Sequence, residues 1–334
     1  MKTPLFLPFA QEILPLPQIG ERFIAYGLQE VPETVWQPYL DIIQPWRPDY
    51  LKLSQAGFTT LPQTQEEQTY AGGLLLLDKH RKRNENRLLH LLTVVKAGGW
   101  IVVCGDKVSG AASLCKWAGK RVPVADSLSK NHAIVFWLRV PEKLDHSALA
   151  RQQNSGAQID NRFETLPGMF SHGKIDAGSA MLARFIPEYI QGAAADFGAG
   201  WGYLAAHMLE NANSITALDL YEADYDALQA ARHNLADSPS SVLLGFHWQD
   251  LTREQPQSRY DTIISNPPFH QGRAADASLG QAFIRCAARA LNPNGRLLLV
   301  ANRHLPYEAI LANCFKSSKQ LAQENGFKII LAQI

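Results

Sequence analysis

The chain has 334 residues, 46% hydrophobic and 19% charged, which supplies a large core and excludes a mostly disordered polymer. Lysine and arginine total 32 against 31 acidic residues, so a net charge of +1 excludes attachment to nucleic acid by bulk charge alone and leaves local patches open. The length suits two domains. Cys104, Cys115, Cys286 and Cys314 are widely spaced without a CxxC, so neither a disulfide framework nor a cysteine zinc site is expected. Prolines and Glu12 break the apolar opening stretch before it takes signal-peptide form, and no apolar run approaches the roughly 18 residues of a membrane span. The expectation is a soluble cytoplasmic protein.

Charge divides unevenly. Residues 1–155 hold 18 basic and 14 acidic side chains, and residues 156–334 hold 14 and 17. In the first half, AGGLLLLD (71–78) reads as a buried strand and ENRLLHLLTVVKAGG (85–99) as a helix closing on paired glycines. WIVVCGD (100–106) is a second strand, VSGAASLCKWAG (108–119) a helix, and HAIVFWLRV (132–140) a third strand. Helices between buried strands predict a mostly parallel sheet covered on both faces. The polar stretch 141–165 reads as a connector, part helix and part extended. Beyond it, a helix over 178–186 precedes the strand, glycine turn and helix of GAAADFGAGWGYLAAHMLE. Strands over 214–220, 241–250, 260–269 and 295–302 alternate with helices over 221–236 and 278–291, and the tail predicts a helix and two closing strands. The halves share an α/β plan without a legible sequence repeat.

In DFGAGWG, Gly198, Gly200 and Gly202 allow a tight turn and a close approach of backbone to ligand. No lysine follows, as a phosphate-binding GxxxxGK[ST] loop requires, and the leading Asp196 disfavours phosphate but suits a cationic ammonium group. Asp219, at the predicted end of the next strand, is placed to accept hydrogen bonds from ribose hydroxyls. Asp250, after the third strand, either accepts from an adenine amino group or caps the turn that follows. Leu220 and Trp248 either flank the adenine or pack in the core. Together these features point to a nucleoside cofactor.

SNPPFH (265–270) follows the next apolar strand, so Asn266 emerges at the sheet edge where open α/β folds hold ligands. Methylating a planar exocyclic nitrogen requires its lone pair to face the donor carbon. The Asn266 side-chain oxygen and the Pro267 carbonyl can each accept an N–H from such an amine. Pro268 stiffens the turn, Phe269 offers a ring for stacking, and His270 stands beside the motif to orient substrate.

DFGAGWG, Asp219 and SNPPFH resemble the class I methyltransferases that use S-adenosylmethionine. With LPGMFSHGKIDAGSAML before the glycine turn and LLLVANRHLPYEAIL after the reactive strand, the chain resembles the bacterial small-subunit ribosomal RNA guanine-N2 methyltransferases. The resemblance is dense over 165–310 and architectural over 1–155. It implies two tandem Rossmann-like methyltransferase domains. The N-terminal one (1–155) is degenerate and serves RNA recognition or structural support, and the C-terminal one (156–334) is catalytic. Asp196, Gly198, Gly200 and Gly202 match the cofactor turn, Asp219 the ribose acid, and Asn266 to Phe269 the substrate-amine motif. Ala199 stands where the family commonly has cysteine, and Asn302 matches a family asparagine to which no role is assigned. The implied partner is the small ribosomal subunit or its RNA, with no metal or membrane, and a monomer is favoured.

Lys79, Arg81, Lys82, Arg83 and Arg87 form a basic run that suits either phosphate contacts or a solvated helix start. Arg303, Arg162 and Lys174 are candidate additions near the catalytic mouth. GDKVSG (105–110) lacks a glycine-rich turn and an acidic partner strand, so the first half is expected not to bind cofactor. The same motifs also serve other planar nitrogens in nucleic acid, metabolites or proteins. A non-catalytic assembly factor is the remaining alternative, disfavoured by the intact motifs.

Overall fold

The structure, a computed structural model, describes residues 3–65, 68–153, 156–211, 214–238, 242–268, 270–271, 274–275 and 277–334. The chain forms two compact units, Met1–Ser155 and Gly156–Ile334.

The first unit contains β1 (Phe23–Tyr26), β2 (Leu40–Ile43), β3 (Thr59–Leu61), β4 (Tyr70–Leu76), β5 (Val95–Asp106), β6 (Val124–Lys130) and β7 (Ala133–Arg139), in the order β3-β2-β1-β4-β5-β7-β6. The first five are parallel, and β7 runs antiparallel to both β5 and β6. Its helices are α1 (Leu7–Ala10), α2 (Arg47–Gln55), α3 (Arg81–Val94), α4 (Ala111–Gly119) and α5 (His146–Gln152). Leu74, Leu75, Ile101, Val102 and Val103 are fully buried on alternating faces, as expected where helices cover both sides of a parallel sheet. The strands β1, β2 and β3 went unread in the sequence because each is too short to show a period and prolines stand between them.

The second unit repeats this plan. A small hairpin of β8 (Ala157–Ile159) and β9 (Phe163–Thr165), lying within the stretch read as connector, packs Ile159 and Phe163 into the second core. Next come α6 (Ala177–Ala183), α7 (Ile186–Tyr189), β10 (Gly192–Phe197), α8 (Tyr203–Asn211), β11 (Ile215–Glu222), α9 (Tyr225–Asn234) and β12 (Leu243–Trp248). Then follow β13 (Tyr260–Ser265), the short pair β14 (His270–Gln271) and β15 (Ala274–Ala275), α10 (Ala277–Ala290), β16 (Leu291–Asn302), α11 (Glu308–Cys314), β17 (Ser317–Glu324) and β18 (Phe327–Gln333). The sheet order is β12-β11-β10-β13-β16-β18-β17, rank for rank that of the first unit. The predicted 178–186 helix is broken, with α6 ending at Ala183 and Pro187 in the first turn of α7. The strand read as 260–269 ends at Ser265, since Pro267 and Pro268 have no N–H for a ladder.

The units differ where β1 and β10 end. In the second, a glycine turn opens α8. In the first, residues 27–39 join β1 to β2 through a single 3-10 turn, Thr34–Trp36. A β-carbon on Gly27 would run into the Leu76 carbonyl at the exit of β4. Leu28 is buried beside it, and the buried Gln44 donates 2.7 Å to the Leu28 carbonyl. This turn is packed shut. GDKVSG begins on the last two residues of β5, and its Asp106 accepts from Ser109 in the turn before α4.

Candidate active site

Strands β10 and β13 lie side by side, with Phe197 level with Ser265, so the glycine turn and the Asn-Pro-Pro segment leave the sheet together. They flank the point where the strand order reverses, the usual ligand crevice of an open α/β sheet. The Ser265 hydroxyl donates to the Phe197 carbonyl at 2.7 Å and fastens the two exits.

In the turn, the Gly198 and Ala199 amides donate to the Tyr221 carbonyl at 2.9 and 3.0 Å. Gly200 has φ +53, and open space lies where its β-carbon would stand. Gly202 has φ +90 and packs close, its absent β-carbon falling 3.2 Å from Ala231 on α9. One glycine borders open space and the other seats a helix. Trp201 donates its indole N–H to the Phe170 carbonyl at 3.1 Å, which brings Phe170, 58% exposed, beside the turn.

Asp219 does not stand at the strand end. It lies inside β11, level with Ala195 and Gly245. Tyr260 donates to its Oδ2 at 2.6 Å, and His247 Nε2 is 3.2 Å from Oδ1. These contacts, His247 first, hold its carboxyl below the usual carboxylate range against the opposing effect of burial. The residue that ends β11 is Glu222, which accepts from the Gly200 amide at 2.8 Å and from Ala223 and Asp224 at 2.8 and 2.9 Å. Burial raises its pKa, and the three amides oppose the rise.

Asp196 is fully buried, and neither carboxylate oxygen closes a hydrogen bond among the described residues. Burial, and then the charge of Glu222, push its pKa up to about 8, opposed only by the Ala205 amide. Asp250 caps the turn that follows it and keeps one carboxylate oxygen spare. Its Oδ1 caps the turn by accepting from the Thr252 amide at 3.0 Å and hydroxyl at 2.6 Å. Its buried Oδ2 accepts no hydrogen bond among the described residues, and its nearest cation, Arg253, is 3.9 Å away. Leu220 is wholly within the core, which removes it as an adenine contact. Trp248 is tied to the Ala223 carbonyl at 2.9 Å and packs edge-on against Tyr225.

Asn266 is the most constrained group of the reactive segment. Its Nδ2 donates to Asp176 Oδ2 at 2.9 Å and to Ser179 Oγ at 2.8 Å. Asp176 caps α6 and accepts from the Ser179 amide at 2.8 Å. A carboxylate can only accept, so the amide nitrogen must face it and the amide oxygen is left for a substrate donor. Pro267 is buried and Pro268 exposed. Phe269 and the His270 side chain lie outside the described residues. Arg303 is exposed one residue past β16, at the same edge of the sheet. Arg162 is drawn into an ion pair with Glu210 at 2.6 Å.

The basic run of the first unit divides. Arg83 and Arg87 turn inward to Asp78 at 2.7 and 3.2 Å, and Arg81 pairs with Glu85 at 2.8 Å. Lys79, Arg81 and Lys82 are on the surface. Among the described residues, no group of acidic, histidine and cysteine side chains is arranged to hold a metal, and no helix is long and apolar enough to cross a membrane.

Sequence reasoning missed Asp176, Ser179 and Glu222. The D-A-G-S start of α6 signals a helix cap, but nothing in it reveals a contact 90 residues away. Glu222 was available as the second acid of LDLYE.

A seven-stranded sheet of this order, with a glycine turn after its first strand and Asn-Pro-Pro after its fourth, defines a Rossmann-like methyltransferase. Residues 160–331 match the methyltransferase small domain family. Relatives named ribosomal RNA small subunit methyltransferase C include one from Klebsiella pneumoniae, 30% identical over 75% of this chain and 72% of its own. Another, from Psychromonas ingrahamii, is 28% identical over 84% and 80%. The chain belongs to the ribosomal RNA small subunit methyltransferase C family. A solved T. thermophilus 16S rRNA N2 G1207 methyltransferase, in complex with AdoMet and guanosine, covers 99% of this chain and 92% of its own, with a TM-score of 0.78 and 22% identity. That likeness shows that the two-unit fold is shared.

Proposed function

We propose that this enzyme transfers a methyl group from S-adenosylmethionine to the exocyclic N2 amine of a guanine in small-subunit ribosomal RNA. The observation that carries this reading is Asn266, whose amide nitrogen is committed to Asp176 and Ser179 so that its oxygen is left for a substrate donor. The N2 lone pair of guanine is delocalised into the ring. Accepting one N–H on Asn266 Oδ1 and the other on the Pro267 carbonyl turns that lone pair toward the donor and favours the transition state, in which the nitrogen becomes cationic. When bound, S-adenosylmethionine supplies a methyl carbon on a positively charged sulfur. Asn266 Oδ1 and the Pro267 carbonyl would hold the amine nitrogen toward that carbon, and the N–H proton would leave to solvent once the nitrogen carries the methyl group.

The residues present fit this cofactor. Gly200 leaves its face of the turn open, Asp196 offers a buried unsatisfied carboxylate to the ammonium group, and Glu222 replaces Asp219 as the acid placed for the ribose hydroxyls. The spare Oδ2 of Asp250 suits the adenine amino group. The first unit, whose corresponding turn is packed shut, serves RNA recognition or structural support in the cytoplasm.

Incubating the enzyme with labelled methyl donor and small subunits lacking the modification is expected to place label in N2-methylguanosine. Label confined to another nucleoside would overturn the guanine reading. Neutralising Lys79, Arg81 and Lys82 together is expected to weaken RNA binding and lower its log–log salt slope by roughly 2, at about 0.7 per lost phosphate contact. An unchanged slope assigns these side chains to a solvated helix start. Arg83 is left in place because its loss would strip Asp78 of a partner.

A further inference from the structure

We infer that Asp176 and Ser179 are positioning residues, which set the direction of the Asn266 amide and thereby make its oxygen the acceptor for the substrate amine. The inference rests on the proposed role of Asn266 and extends it to the start of α6, whose side chains the sequence reading gave no role.

An asparagine amide has two nearly isosteric ends, and reversing it would present a donor where the reaction needs an acceptor. Of the two inward partners, Ser179 Oγ at 2.8 Å is indifferent, since a hydroxyl both donates and accepts. Asp176 Oδ2 at 2.9 Å is not, because a carboxylate only accepts. Direction is therefore imposed by Asp176, and Ser179 holds the second hydrogen of the same nitrogen. The local sequence is built to deliver that oxygen. Asp176 is fixed as the helix cap by the Ser179 amide at 2.8 Å, and Ser179 is itself largely buried at 8% exposure. Between them stands Gly178, in a helical turn where glycine is otherwise unfavourable. A β-carbon there would fall 3.0 Å from Asp176 Oδ2 and 3.0 Å from the Phe327 ring. The small residue keeps the carboxylate's approach to Asn266 clear.

A side chain that only capped the helix would behave differently under substitution, because serine and asparagine are both good caps. Asp176→Ser keeps the cap but is too short to reach Asn266. It is expected to retain the wild-type melting temperature and cofactor affinity while kcat falls on the order of 10- to 100-fold with little change in KM. Asp176→Asn can place an amide oxygen on the same two donors and is expected to recover most of the lost kcat, as a partial rescue by the isostere. Equal kcat for Asp176→Ser and wild type would overturn the inference, as would a loss in Asp176→Asn as deep as that in Asp176→Ser. Should Asp176→Ser fail to fold, Asp176→Asn and Ser179→Ala carry the test, the second with a smaller loss of kcat at unchanged cofactor affinity. The methylated nucleoside is identified in the same assays. Label outside N2-methylguanosine would defeat the guanine reading while a kcat-selective loss in Asp176→Ser would still establish the positioning role.

Discussion

Asn266→Ala is expected to remove methyl transfer almost completely while S-adenosylmethionine binds within a few-fold of its normal affinity. The separation follows from where the groups sit. Asp196, the glycine turn, Glu222 and Asp250 lie on β10, β11 and the exit of β12, whereas Asn266 leaves β13 and is anchored to α6. Truncation deletes the acceptor that orients the amine and the dipole that favours charge on the nitrogen. Loss of one such preorganised group costs roughly 10²- to 10³-fold in kcat. The fold should persist, since Ser265 still binds the Phe197 carbonyl and Asp176 still caps α6. Asn266→Asp is expected to be no better, because it sets a second carboxylate against Asp176. Single-turnover rates with saturating cofactor, alongside calorimetric cofactor binding without RNA, make the comparison. Turnover at the wild-type rate would sink the proposed role of Asn266.

The parts of the site legible in the sequence were those carried by short contiguous patterns on one strand exit. DFGAGWG and SNPPFH each follow an apolar run, and the sheet brings Phe197 level with Ser265, as two such exits at a switch point require. The acid expected at the end of β11 was placed three residues early because LDLYE holds two acids, and choosing between them needs the register of neighbouring strands. Asp219 is taken by Tyr260 and His247, residues of β13 and β12, and Gly245 opposite provides the room for that contact. Asp176 was hidden for a similar reason, since its cap function is local and its contact with Asn266 is not. The basic run read as five equivalent cations, yet Asp78 and Glu85 engage three of them. In the first unit, β1 and β2 are each four residues long, so the parallel between the two sheets appears only in their strand order.

Asp196→Asn is expected to raise the stability of the cofactor-free enzyme at pH 8 and to weaken cofactor binding by more than about tenfold, the worth of roughly 1.4 kcal/mol. Asp196 is buried without a hydrogen bond among the described residues, and Glu222 adds a like charge nearby. Its carboxyl therefore titrates near pH 8 in the fold, against an ordinary value of 3.8. A folded pKa above the unfolded one gives a stability contribution that is complete below about pH 4 and is lost as pH rises through about 8. Asparagine, neutral at every pH, escapes that loss. The melting temperatures of the two cofactor-free proteins should thus agree below about pH 4 and diverge in favour of the variant as pH rises to 8. Binding reverses the preference, because an ammonium group beside Asp196 favours its charged form. Near pH 7 the wild type should release a fraction of a proton approaching one on taking up S-adenosylmethionine, measured from the dependence of the calorimetric enthalpy on buffer ionisation. The variant should release less by that amount. Identical proton release in both proteins would remove Asp196 from the ammonium site. A stability gain at pH 8 without that loss of release would leave its burial a structural feature alone.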